Sequence, residues 1–92
     1  MDTFNFTGVI VKEDRTYNSL CLELDVASQG DTPEEAKAML LEAVTLYLEG
    51  TFEDGLPHLR PVPPDQDPRL SSPQQFVEQF PFKVDIAVHV YA

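Results

Sequence analysis

The stretch that decides the fold runs from Tyr17 to Glu49, YNSLCLELDVASQGDTPEEAKAMLLEAVTLYLE. Leu20, Leu22 and Leu24 alternate with Ser19, Cys21 and Glu23, the period of two expected of a strand with one apolar face. Val26 to Gln29 is long enough for a short further strand. Gly30 supplies backbone freedom at the turn that follows. Thr32 is placed to cap a helix, Pro33 suits its first position, and Glu35, three residues after the cap, completes a capping box. From Pro33 to about Glu49, the residues Ala36, Met39, Leu40, Ala43, Val44, Tyr47 and Leu48 recur at spacings of three and four and form one apolar helix face. Glu34, Lys37, Glu42 and Glu49 lie largely off it, and Gly50 is expected just past the helix end.

Before this stretch, Phe4 to Lys12 (FNFTGVIVK) is rich in aromatic and β-branched residues and reads as a first strand. Phe4 and Phe6 share one parity, Val9 and Val11 the other, so a bulge is expected at Gly8 where the phase changes. Glu13 to Thr16 is polar and reads as a hairpin turn. After the helix, prolines at 57, 61, 63, 64, 68 and 73 make residues 51–73 a long connection in which no helix or central strand persists. Such length is uncommon in a compact domain. Proline favours extended polyproline segments there, and a plain linker is the simpler reading than a ligand for a proline-binding domain. Ser72 and Pro73, ahead of Gln74 to Glu78, are placed to start a short helix. Phe82, Val84, Ile86, Val88 and Val90 then alternate with Lys83, Asp85, Ala87, His89 and Tyr91 as a last strand.

The class is therefore α+β: a three-stranded antiparallel meander, one long helix packed on the sheet and a C-terminal strand, in the order β-β-β-α-β. There is room for a short extra helix before the last strand. A helix covering one face of the sheet is the simplest packing of these elements. Ninety-two residues suit one domain, 1–92, with 51–73 as its proline-rich connection. Six basic against sixteen acidic side chains leave a formal charge of −10. Three basic and ten acidic residues fall in positions 1–49, so the acidity belongs mainly to the folded half. Such a surface repels phosphate backbones, which makes direct DNA or RNA binding unexpected, and it favours attraction to a basic protein, although on charge alone a surface that merely keeps the chain soluble is the simpler reading. One cysteine, Cys21, forbids an intrachain disulfide and a cysteine-rich zinc site. With no signal-peptide pattern and no apolar run of membrane-spanning length, the expectation is a cytoplasmic, soluble chain.

No constellation points to catalysis. A two-metal nuclease needs several carboxylates converging on paired ions. Asn5, Thr7, Gly8, Val9 and Ile10 in the middle of the first strand offer none, and Asp85 stands singly. His58 sits in the connection and His89 in the last strand, without the spacing of a metal site; both read as surface or subunit-facing residues. Cys21 reads as a small packing group. Phosphate loops and Ser-His-Asp patterns are absent. The expectation is a non-enzyme with no catalytic, metal or cofactor-binding residues and no cofactor.

Tyr17 at the start of its strand, the Gly30-Asp31-Thr32 turn, Glu35-Ala36 and the Tyr47-Leu48 pair resemble the HicB family of small antitoxin-like proteins. The match is clear over the first half of the chain and looser in the final strand. Where many members carry a Pro-Glu-Leu-Pro-Gly-Cys-like segment, this chain reads Leu22-Glu23-Leu24-Asp25-Val26-Ala27. The resemblance implies a truncated ribonuclease-H-like fold and an antitoxin that occludes a small basic HicA-like, mRNA-cleaving toxin by binding its working face. Asp25, Asp31, Glu34, Glu35, Glu42 and Glu49 are the partner-binding candidates, by charge and expected exposure. The helix-turn-helix or ribbon-helix-helix segment with which full-length HicB proteins commonly bind their operator is not present, so operator binding is not expected. The alternative is an orphan HicB-like module that only self-associates. In either case a homo-oligomer, dimer or tetramer, is expected of so small a domain.

Overall fold

A computed structural model gives the structure, which describes residues 2–55, 57 and 59–86. Among them the chain forms β1 (Asp2–Glu13), β2 (Thr16–Cys21), β3 (Val26–Gly30), α1 (Pro33–Glu53), α2 (Pro68–Ser71) and β4 (Phe76–Ile86), with a 3₁₀ turn at Pro64–Gln66. The expected α+β order holds, including the extra short helix. All pairings are antiparallel, in the sheet order β3-β2-β1-β4.

β1 is central, and its residues explain the broken alternation. Phe6 faces the core under α1 together with Phe82 and Val84 of β4, while Val9 and Val11, also buried, have the opposite parity. A strand covered on both faces reads as a nearly continuous apolar run. The bulge expected at Gly8 is not there: pairing runs through Gly8 on both sides, and the register shift falls between Ile10 and Val11 opposite β4. Gly8 lacks a side chain for another reason, since a Cβ would overlap the ring of its cross-strand neighbour Phe80.

The leucine stripe also needs correction. β2 ends at Cys21, and Leu22 to Asp25 turn the chain, with Asp25 at φ 54. Cys21, not Leu20 or Leu22, faces the core, and Leu24 reaches the same cluster from the turn. Burial pushes the Cys21 thiol up to about 12, so it stays neutral and unreactive at ordinary pH. Glu23 closes the end of the β1–β2 pairing: its carboxylate accepts the Thr7 N–H at 2.8 Å and the Thr7 hydroxyl at 2.9 Å.

α1 begins as its sequence requires. The Thr32 hydroxyl accepts the Glu35 N–H at 3.0 Å, and the Glu35 carboxylate accepts the Asp31 N–H at 3.3 Å. Ala36, Leu40, Val44 and Leu48 are fully buried, whereas Met39 points outward. The helix does not stop at Gly50; it continues to Glu53 and leaves through Gly55 at φ 68. Phe52 packs against Phe4 with ring centroids 5.4 Å apart, and this contact favours the extra turn over the glycine's preference to end it.

The proline-rich connection therefore starts at Asp54, and it has structure. Arg60 N–H donates to the Glu23 carbonyl (3.0 Å) and Val62 N–H to that of Leu22 (2.8 Å). The Arg60 side chain donates to the carbonyls of Leu24 and Asp25 and lies over the Tyr47 ring. The chain then crosses to the sheet face opposite α1, where Pro68 flanks Val9 and Val11. It ends with the Lys12 N–H donating to the Gln75 carbonyl. β4 thus starts beside the end of β1 and runs back antiparallel to it, which is why the connection is long. The helix expected after Ser72 lies earlier, at Pro68–Ser71, capped by Asp67; residues 73–75 form a turn and Phe76 opens the strand. In β4, Phe82 and Val84 are buried and Pro81, Lys83 and Asp85 exposed, as the alternation requires. Val88, His89, Val90, Tyr91 and His58 lie outside the described residues.

Asp67 anchors this segment. The residue is 6% exposed, and its carboxylate accepts the Arg69 N–H and pairs with the Arg69 guanidinium at 2.7 Å; Arg69 also donates to Gln79 on β4. The side-chain hydrogen bonds from Arg69, opposed in part by burial, hold the Asp67 carboxyl below its ordinary value. A depressed folded-state pKa contributes stability above the unfolded carboxylate value of about 4, and that contribution is lost as pH falls through the folded value. Asp67→Asn keeps a capping side chain but removes the charge. It is expected to be less stable than the parent at neutral pH, with the gap closing in strong acid. Urea melts across that range check this; a gap independent of pH would contradict it.

Candidate functional site

The six acidic candidates fall into two groups. Asp25 and Asp31 are exposed at the two ends of β3. Glu35, Glu42 and Glu49 follow one another at intervals of seven along the outer side of α1, joined by Glu53, and Glu34 stands apart on a flank. All six are exposed, but Glu35 is also part of the helix cap. Exposed Leu46, 62% accessible, sits among the outer glutamates, four residues after Glu42 and three before Glu49.

The basic side chains do little to offset these charges, because most are engaged elsewhere. Lys37 pairs with Glu78 at 2.9 Å and lies over Phe80; Arg69 is held by Asp67; Arg60 binds two carbonyls; Lys12 lies over Tyr17. The ion pairs among the described residues are Lys37–Glu78 and Arg69–Asp67, so none of the six candidates is neutralised by an ion pair there. Glu34 and Glu35 suit the positive end of the helix dipole, but the last turn holds no base. Glu49 and Glu53 instead place like charges four residues apart at its negative end, a local penalty of a few tenths of a kcal/mol. These acids do not serve the helix that carries them.

Sequence reading missed the second feature, a groove on the sheet face opposite α1. It has a volume of about 460 Å³, a floor of Val9, Val11, Leu20 and Ala27, a wall at Pro68 and Glu13 at its rim. The signal was present in the opposite parity of Val9 and Val11, which marked a second apolar face. That the connection would cover only part of that face was not readable.

Among the described residues, no group of three or more His, Cys, Asp or Glu side chains could hold a metal ion, and no helix is long and apolar enough to cross a membrane. Compared with family models, curated proteins and solved structures, the chain matches none.

Proposed function

We propose that this chain is an acidic binding protein of the HicB antitoxin kind, acting in the cytoplasm by covering the working face of a small basic HicA-like toxin. The observation that carries this reading is the set of exposed acids free of ion pairs on α1 and around β3, in a chain whose own bases are mostly engaged internally. Glu49 and Glu53, placed against the helix dipole, are poor choices for stability and good ones for drawing in a cationic partner. The mechanism is occlusion and requires no chemistry from this chain. The HicB-like resemblance of Tyr17 to Leu48 supplies the identity of the partner class.

The test is capture of the tagged chain from lysate of its own cells at low and high salt. A small basic protein should be retained at low salt and released as salt rises, should cleave RNA once freed, and should stop doing so when the chain is restored. Glu42→Gln combined with Glu49→Gln is expected to slow association several-fold and flatten its salt dependence, leaving dissociation nearly unchanged; stopped-flow binding reads this directly. Retrieval only of further copies of the chain would overturn the toxin reading in favour of the self-associating module.

A further inference from the structure

Sheets expose two edges, and this protein treats them differently. β4 carries Pro81 and Lys83 on its exposed side, and a proline and a lysine are common guards against strand addition. Beside β2, β1 overhangs by Asp2 to Thr7, and the Glu23 carboxylate caps this overhang at Thr7, next to the last paired residue Gly8. β3, Val26–Gly30, is the other edge and has none of these devices: it contains no proline and no lysine. Among the described residues, no hydrogen bond engages its outer side. The groove opens directly beside it, past Ala27.

We propose that β3 and the adjoining groove take an extended segment of a basic partner protein, added antiparallel or parallel as a fifth strand. Main-chain hydrogen bonds to β3 would hold the segment, and every second side chain would project over Ala27 toward the apolar floor formed by Val9 and Leu20. The charges select the occupant. Asp25 and Asp31 bracket the edge and Glu13 lies on the rim of the groove, against Arg60, whose guanidinium is held at the Asp25 end by the carbonyls of Leu24 and Asp25. A second copy of this chain, paired antiparallel about a two-fold axis, would set Asp25 of one against Asp31 of the other at both ends, and like charges in opposition destabilise strand pairing. A segment with lysine or arginine at its ends meets the same geometry with opposite charge. The inference rests on the reading of the chain as an acidic binding protein and adds a docking edge to the acids of α1 that draw the partner in.

The probe is a synthetic peptide KVTVTVK, titrated at low salt into the full ¹⁵N-labelled chain, with EVTVTVE and a version of KVTVTVK N-methylated on alternate amides as controls. KVTVTVK should shift the amides of Val26 to Gly30 and of Leu20, and the two controls should not. Asp25→Asn with Asp31→Asn should weaken binding by about tenfold; asparagine tolerates the positive φ at position 25. Ala27→Lys, on an exposed site, should abolish it. Absence of any shift, shifts confined to the outer face of α1, or binding that survives N-methylation would overturn the proposal. If the Ala27→Lys chain still captures a salt-labile basic protein from lysate, the edge proposal fails while the function reading stands. If no basic protein is captured but the peptide shifts β3, the function reading fails and the site remains.

Discussion

Replacing Gly30 by alanine is expected to destabilise the protein by about 3 kcal/mol, at the upper end of what overpacking usually produces. A Cβ at this position would lie 2.6 Å from the Ala36 backbone nitrogen and 2.8 Å from the Glu35 carbonyl carbon. These are main-chain atoms of the first helical turn and cannot rotate aside. Gly30 closes β3 opposite Tyr17, and the helix begins three residues later, so relief requires the start of α1 to lift off the sheet. That motion would strain the Thr32 cap and loosen Ala36, which is fully buried. The smaller entropy of the unfolded alanine chain offsets this by only about 0.4–1 kcal/mol. Urea unfolding should show a lower midpoint with an unchanged slope. A loss below about 1 kcal/mol would mean that the helix start is not pressed against β3 as the geometry indicates.

Leu40→Ala is expected to remove a comparable amount, about 3 kcal/mol within the usual 2–5 for a large aliphatic truncated in a core. Leu40 is fully buried in the cluster with Phe6, Cys21, Leu24, Val44, Leu48 and Phe82. Its neighbours come from β1, the β2 end, the following turn, α1 and β4, so no single element can collapse into the space left behind. Leu46→Ala is the internal control. The two leucines differ by six positions on one helix, but Leu46 is exposed, and its truncation should change stability by less than about 0.5 kcal/mol. Either loss is large against a net stability on the order of 10 kcal/mol for a domain of this size. Equal effects at the two positions would place the core on the wrong side of α1.

Local chemistry was legible wherever a residue acts on its own neighbours. The Gly30 turn, the Thr32 cap, Pro33 at the helix start and the inward positions Ala36, Leu40, Val44 and Leu48 follow from backbone freedom, orphan N–H groups and the 3.6-residue period. The alternation of Phe82 and Val84 was readable for the same reason. The exposure of Asp25, Asp31, Glu34, Glu35, Glu42 and Glu49 could be expected from charge alone.

What the sequence could not decide depended on what lies across space. The Leu20, Leu22, Leu24 stripe looked like one buried face because an isolated strand has one core, but the turn after Cys21 ends the strand, the side facing α1 is Cys21's, and Leu20 faces the groove. Gly50 looked like a helix end until Phe52 found Phe4. Sequence alone determined the elements and their order, because capping, periodicity and turn preference act within a few residues. Only the tertiary structure decided that 59–75 cross to the second sheet face, that β4 returns antiparallel to β1, and that β3 is left as an unguarded edge beside a groove. Each of those depends on contacts between residues tens of positions apart, whose energies no local pattern records.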